Sequence, residues 1–201
     1  MDYKLPESIV KNLERGYEMY IKLRRPNGTT PSLNDGSEAS DRNWSHKAYQ
    51  FFPQRQDFRY FATGGAEGVL PEYTSVAMPY AGMASMRTGW GKNDMWFFFE
   101  SAPFGRGHQH EDKLNVLMFA YGKDVLKDSG NYAYDSSNMR KFVLDTRSHN
   151  CAMVDNRSQC RRPKYKWEDE DIKKRSDLKW QFTQDWDTAE GVYNEGCGGR
   201  I

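Results

Sequence analysis

Met95-Trp96-Phe97-Phe98-Phe99 is a strand-length run without a polar residue, and it constrains the fold more than any other stretch. A run of this length and aromatic content reads as a strand buried on both sides or packed between layers. It has company. Met83 to Arg87 reads as a strand, separated from it by the Gly89-Trp90-Gly91-Lys92-Asn93-Asp94 turn. Leu114 to Tyr121 reads as another, joined through Gly122-Lys123-Asp124 to Val125-Leu126 as a hairpin. Cys151 to Val154 ends at the Asp155-Asn156 turn pair, and Glu190 to Tyr193 reads as a last strand. Short strands at hairpin spacing predict a mainly β fold, an antiparallel β-sandwich or jelly roll.

The chain before this region has a different period. Residues 6 to about 25 read as a helix, with Pro6 in the first turn and Ile9, Leu13, Tyr17, Tyr20 and Ile21 as an apolar stripe. Arg24 and Arg25 suit its C-terminal end, and Pro26-Asn27-Gly28 stops it. Thr29 to Asn43 reads as loop, Ser45 to Phe52 as a second short helix, and Asp57 to Thr63 as another aromatic-rich segment. Gly64-Gly65 and Gly68 then punctuate the chain, and the β signal begins near Ser75. The division expected is a helical segment plus linker over 1–65 and a sandwich over 66–201, incomplete at its C-terminal end.

Charge and cysteine usage exclude more than they assign. The chain of 201 residues carries 29 basic and 28 acidic residues, so no strong field argues for nucleic acid or an anionic membrane. No apolar run reaches the ~18 residues that membrane insertion needs, and Met1 to Pro6 lacks the apolar core of a signal peptide. Cys151, Cys160 and Cys197 are odd in number and lack a CxxC spacing, so no disulfide framework is read. Arg161-Arg162 and Lys173-Lys174-Arg175 read as a solvated face or an insertion, and His46 receives no role.

Chemistry concentrates in Gly105-Arg106-Gly107-His108-Gln109-His110-Glu111-Asp112, which holds two of the four histidines. Asp128 follows in Lys127-Asp128-Ser129-Gly130, where a tight turn can present its carboxylate inward, and His149 in Arg147-Ser148-His149-Asn150, placed just before a strand. The 18 residues from His110 to Asp128 fit a strand, a hairpin and a return strand, which makes the two plausible cross-strand neighbours. His110, Asp128 and His149 form a two-imidazole, one-carboxylate set suited to a metal such as zinc, which leaves His108 free for another task. The bland alternative is a hydrogen-bonded polar cluster bracing a turn.

These residues carry a resemblance. Ala81-Gly82-Met83 through Arg87-Thr88-Gly89-Trp90-Gly91, then the His108-Gln109-His110 loop, Asp128-Ser129-Gly130 and Arg147-Ser148-His149-Asn150, resemble the heparinase II/III-like polysaccharide lyases over roughly residues 70 to 160. The resemblance implies an antiparallel β-sandwich preceded by the tail of an α/α toroid, with an acidic polysaccharide bound in the cleft between them. It implies that His108 is catalytic and that His110, Asp128 and His149 hold a structural zinc ion. Tyr132 and Tyr134, in the loop after the metal-binding carboxylate, are implied to approach substrate, and Arg106 to add positive charge there. Such lyases are exported, which implies a periplasmic or secreted protein. Their remaining catalytic pair, an Asn or His and a Tyr, comes from the toroid and has no counterpart here, so this piece alone is expected to be inactive.

β-Elimination fits the residue types. The proton at C5 of a uronate is poorly acidic until donors or cations offset the neighbouring carboxylate. A base of near-neutral pKa then removes it, and a Tyr or His protonates the departing glycosidic oxygen. Two other functions share parts of the pattern. His-x-His with a later His and a carboxylate on a β fold also suits a cupin-like non-haem iron oxygenase, but Lys113, Leu114 and Asn115 stand where its glutamate belongs. A non-catalytic carbohydrate-binding sandwich would bind glycan without needing His108.

Overall fold

The computed structural model describes residues 4–105, 107–161 and 176–194. Three helices come first: α1 (Glu7–Leu23), α2 (Asp41–Phe51) and α3 (Gln56–Ala62). They enclose a small aromatic core of Ile21, Trp44, Ala48, Phe52, Phe58 and Phe61, joined by the half-buried Tyr17 and Trp90. Only Ile21 of α1 is buried. Ile9, Val10 and Leu13 of the expected stripe region stay exposed. Between α1 and α2 the loop is closed by the Thr29–Ser40 bridge, and Arg24 clamps it with a forked contact to Asp41 at 2.8–3.1 Å.

Five strands follow as an antiparallel meander: β1 (Val76–Met78), β2 (Met83–Arg87), β3 (Trp96–Glu100), β4 (Val116–Ala120) and β5 (Lys123–Leu126), in that spatial order. Register aligns Ser85, Phe98 and Leu117 across the sheet, and Arg87, Trp96 and Phe119 beside them. Side chains alternate between faces along each strand. The face carrying Trp96, Phe98, Leu117 and Phe119 is therefore fully buried, against Leu23 and Leu33 of the helical region. Phe97, Phe99 and Met118 point the other way and are only half-buried. Of the two readings of the apolar run, burial on both sides does not hold: it is covered completely on one side and partly on the other.

Two-residue geometry makes the β4–β5 hairpin tighter than expected. Tyr121 and Gly122 both adopt positive φ, +55° and +73°, the conformation whose twist matches paired strands. The turn is therefore Tyr121-Gly122, and Lys123 already belongs to β5. A second pair, β6 (Lys179–Phe182) and β7 (Asp187–Glu190), forms a separate two-stranded sheet. It is tied to the meander by hydrogen bonds from Ser75 to Asp187 and from Ser101 to Asp177.

Several expectations need correction. Cys151 to Val154 is not a strand; it makes one bridge, Val154 to Arg157, around the Asp155-Asn156 turn. The return arm is drawn elsewhere, because the Gln159 side chain bonds both the N–H (3.0 Å) and the C=O (2.7 Å) of Lys113. His149 consequently precedes no strand. It follows a short helix α4 (Asn138–Val143) and a 3-10 turn (Thr146–Ser148) that sequence reading did not locate. Among the described residues the last strand ends at Glu190, and the buried Tyr193 donates its hydroxyl to Gln159 O at 2.6 Å. Arg161 is buried, not solvated, with its N–H on Glu111 Oε2 and its guanidinium over Phe104. Arg162, Lys173, Lys174, Arg175 and Cys197 lie outside the described residues, and Cys151 and Cys160 are not bridged to each other.

Candidate active site

The histidine loop is the connection between β3 and β4, residues 101–115. Its ends are closed by Glu100 N–H to Asn115 O (3.1 Å) and Leu114 N–H to Glu100 O (2.8 Å). Its middle is pinned by Glu111 N–H to Leu144 O (3.0 Å) and by the Thr146 hydroxyl donating to Glu111 O (2.6 Å). His110 is thereby sealed from solvent, whereas the His108 side chain remains 72% exposed. Two residues of one loop thus meet opposite environments.

Asp128 lies two residues beyond the end of β5 and is turned inward. Its Oδ1 accepts Gly130 N–H at 2.8 Å, and its Oδ2 accepts Asn115 Nδ2 at 2.8 Å and faces His149 Nδ1 at 2.8 Å. His110 and His149 pack with ring centroids 5.3 Å apart. Asp128, bonded by Asn115, lies at the open end of the β4–β5 hairpin, His110 in the loop that leads into β4, and His149 joins them from the 3-10 turn.

A residue that sequence reading left within a loop completes the cluster. Asp35 lies beside both histidines of the loop, with Oδ1 3.0 Å from His110 Nε2 and Oδ2 3.3 Å from His108 Nδ1. Arg140 of α4 forks onto both of its oxygens, at 2.9 Å on Oδ2. The only signal in the sequence was the turn tripeptide Asn34-Asp35-Gly36, which marks a bend and not a site. Arg140 carried no signal at all.

The electrostatics differ between the two buried rings. Hydrogen bonding from Arg140 holds the Asp35 carboxyl far below the usual carboxylate range. Burial pulls the His110 imidazole down, against the partial support of Asp35. Burial also depresses His149, but the hydrogen bond and charge of Asp128 outweigh it and raise its pKa. Asp128 is itself lowered: burial opposes ionisation, and the contact with His149 prevails.

Two atoms are left over. His110 Nδ1 and His149 Nε2 are buried and have no hydrogen-bond partner, although buried imidazole nitrogens are normally satisfied. Each ring has its other nitrogen against a carboxylate, Asp35 for His110 and Asp128 for His149. In donor type and burial the residues fit zinc. Asp128, however, is turned onto His149 Nδ1, and among the described residues no group of three His, Cys, Asp or Glu side chains is arranged to hold a metal ion.

The remaining sequence-predicted residues separate. Tyr134 places its hydroxyl 2.9 Å from His108 Nδ1, its ring edge-on to the imidazole and beneath the Arg140 guanidinium. Tyr132 is exposed and takes no part in this arrangement. Arg106 lies outside the described residues. His46 is exposed on α2, away from the cluster. An exposed imidazole with a phenol and a carboxylate at one nitrogen can exchange a proton with a bound molecule through its other nitrogen.

Known proteins share this sequence and fold. The heparin-sulfate lyase of Pedobacter heparinus is 28% identical over 166 residues, covering 79% of this chain and 25% of that protein. That of Bacteroides stercoris is 26% identical, covering 77% and 24%. A solved heparinase III superposes with a TM-score of 0.72 at 26% identity over 77% of this chain and 25% of its own. A solved heparan sulfate lyase from Pedobacter heparinus gives 0.71 at 26% identity, with the same coverage. The chain spans about a quarter of the length of the curated relatives it matches. The pattern of the heparinase II/III N-terminus matches residues 1–60, and that of the heparinase II/III-like C-terminal region matches residues 71–194. The chain belongs to the heparinase II/III-like family.

Proposed function

We propose that the whole protein is a polysaccharide lyase that cleaves a uronate-containing glycan of the heparan sulfate type by β-elimination, with His108 as a catalytic residue. The observation that carries this reading is the disposition of His108: exposed, on a loop pinned at both ends, with Tyr134 and Asp35 at Nδ1 and Nε2 unengaged by either. The relatives named heparin-sulfate lyase support the substrate class. In this reading His108 removes the C5 proton or offsets the uronate carboxylate, Tyr134 adjoins the departing oxygen, and Arg106 and Tyr132 contact the sugar chain. An acidic polysaccharide substrate suits a periplasmic or secreted protein.

Zinc held by His110, Asp128 and His149 belongs to the same proposal: the two unpartnered imidazole nitrogens support it, and Asp128 would turn from His149 Nδ1 to become the third ligand. The ion would supply structural bracing of the loop that carries His108. The wider architecture proposed is a β-sandwich joined to the tail of an α/α toroid. The exposed apolar residues of α1 are the surface that a neighbouring toroid helix would cover.

The full-length parent incubated with heparan sulfate should yield unsaturated, ultraviolet-absorbing ends, and His108→Ala should abolish most of that signal while the protein stays folded. Absence of product from heparan sulfate, heparin, hyaluronan, chondroitin and alginate would refute the lyase reading. Elemental analysis without zinc, together with a melting temperature indifferent to chelator, would refute the metal.

A further inference from the structure

Asp35 is 73 residues from His108 in sequence and belongs to the loop between α1 and α2, yet it touches both histidines of the β3–β4 loop. We propose that Asp35 is a positioning residue that sets His108 and His110 in opposite tautomers, one presenting its free nitrogen to substrate and the other to the metal. This rests on the lyase and zinc reading above, in which Asp35 stands beside His108 but is given no role of its own.

The chemistry follows from what a carboxylate can do. An ionised carboxylate only accepts hydrogen bonds, and the nitrogen of a neutral imidazole that faces it must carry the ring's one proton. Asp35 Oδ2 faces Nδ1 of His108, which leaves Nε2 of that exposed ring with its lone pair. Asp35 Oδ1 faces Nε2 of His110, which leaves Nδ1 with its lone pair, and this is the buried nitrogen without a partner. Tyr134 Oη, 2.9 Å from the same His108 Nδ1, then accepts and keeps its own proton for another group.

The supporting contacts fix this arrangement from both sides. Asn34 Oδ1 accepts His110 N–H at 2.9 Å, and Asp35 N–H donates to His108 O at 3.3 Å. The turn thus grips the histidine loop by its backbone, where His108 holds a φ of +59°. Arg140 bonds both Asp35 oxygens, so the carboxylate cannot rotate away from one histidine without losing the fork. Arg140 is in turn placed by the α4 N-cap, since its own N–H donates to Ser137 Oγ at 3.1 Å.

The test uses the full-length parent labelled with 15N-histidine, metal-free and at a pH above the imidazole range. Imidazole 15N shifts should show His108 protonated at Nδ1 and His110 at Nε2. In Asp35→Asn both rings should become tautomeric mixtures. Zinc affinity should fall roughly ten- to a hundredfold, as on losing other partners of metal-binding histidines. Turnover should fall about tenfold or more with KM changed less than about twofold. Arg140→Lys, which spares the carboxylate, should keep both tautomers. A wild-type His110 protonated at Nδ1, or an Asp35→Asn protein with unchanged tautomers and zinc affinity, would overturn the proposal. A wild-type parent that forms no unsaturated product would overturn the lyase reading instead, and the 15N shifts would still decide the role of Asp35.

Discussion

Asp128 and His149, 21 residues apart in the chain, meet through a buried 2.8 Å contact between Oδ2 and Nδ1. Asn115, whose side chain also bonds Asn150 N–H at 3.0 Å, donates to the same oxygen. Removing the carboxylate strips partners from two buried polar side chains at once. Asp128→Ala should therefore cost about 2–4 kcal/mol in urea unfolding. Asp128→Asn, which keeps an acceptor, should cost less. Equal losses in the two variants would show that the cavity, not the hydrogen bonds, sets the cost.

Glu100 gives a pH dependence. It is buried on β3, its Oε2 has no partner, and burial raises its pKa well above 4.5, with Asp112 adding repulsion. The folded state therefore keeps a proton that the unfolded chain releases. Stability is complete below the unfolded pKa and is lost as pH rises from there through the folded value. Glu100→Gln, which does not titrate, should raise the melting temperature by about 3 °C near pH 8 and make no difference near pH 4. Parallel melting curves against pH for the two proteins would refute this.

The two tyrosines should separate in kinetics. Tyr134→Phe in the full-length parent should reduce turnover about tenfold without moving the melting temperature, because its ring is exposed and its hydroxyl serves His108. Tyr132→Phe should leave turnover unchanged and act only on KM, since its proposed contact is with the sugar chain and its hydroxyl touches nothing at the imidazole. Identical rates for Tyr134→Phe and wild type would detach Tyr134 from the reaction.

Gly82 should tolerate no side chain. Its φ is +69°, and a Cβ there would stand 2.6 Å from Ala102 Cα and 2.7 Å from Ala102 N. Its carbonyl also accepts Ser101 N–H at 2.6 Å, fixing the exit of β3 toward the histidine loop. Gly82→Ala combines backbone strain with a clash against main chain, and should cost about 2–4 kcal/mol. Denaturant midpoints within error of wild type would contradict it.

Strands with an unbroken apolar core were legible because their signal is local. β2 was placed residue for residue, and β3 and β4 within two residues at either end. β1 and β6 were not located as elements: Val76–Met78 is too short to show alternation, and Lys179–Phe182 leaves three of its four residues exposed. Side-chain type singled out His108, His110, Asp128 and His149 in the sequence, and the fold brings the four into one cluster. Asp35 and Arg140 were not singled out, because they act through a contact between segments 105 residues apart, and neither residue type is unusual in a polar loop or a short helix. His149 was recognised but misplaced, since hydrogen bonds of Gln159 to Lys113 decide that its segment does not pair as a strand.

The β4–β5 hairpin has a consequence for finding such sites elsewhere. Asp128 lies at its open end, His110 in the loop that enters its first strand, and the Tyr121-Gly122 turn closes the other end. The separation of a hairpin's open ends does not depend on its length. Residues added in cross-strand pairs near the turn would extend β4 and the edge strand β5 outward and leave the histidine and the carboxylate where they are. The 18-residue interval between them is thus a free variable that can change in steps of two. A search keyed to that interval would miss proteins with the same site, whereas one keyed to what lies at the two ends of the hairpin would find them.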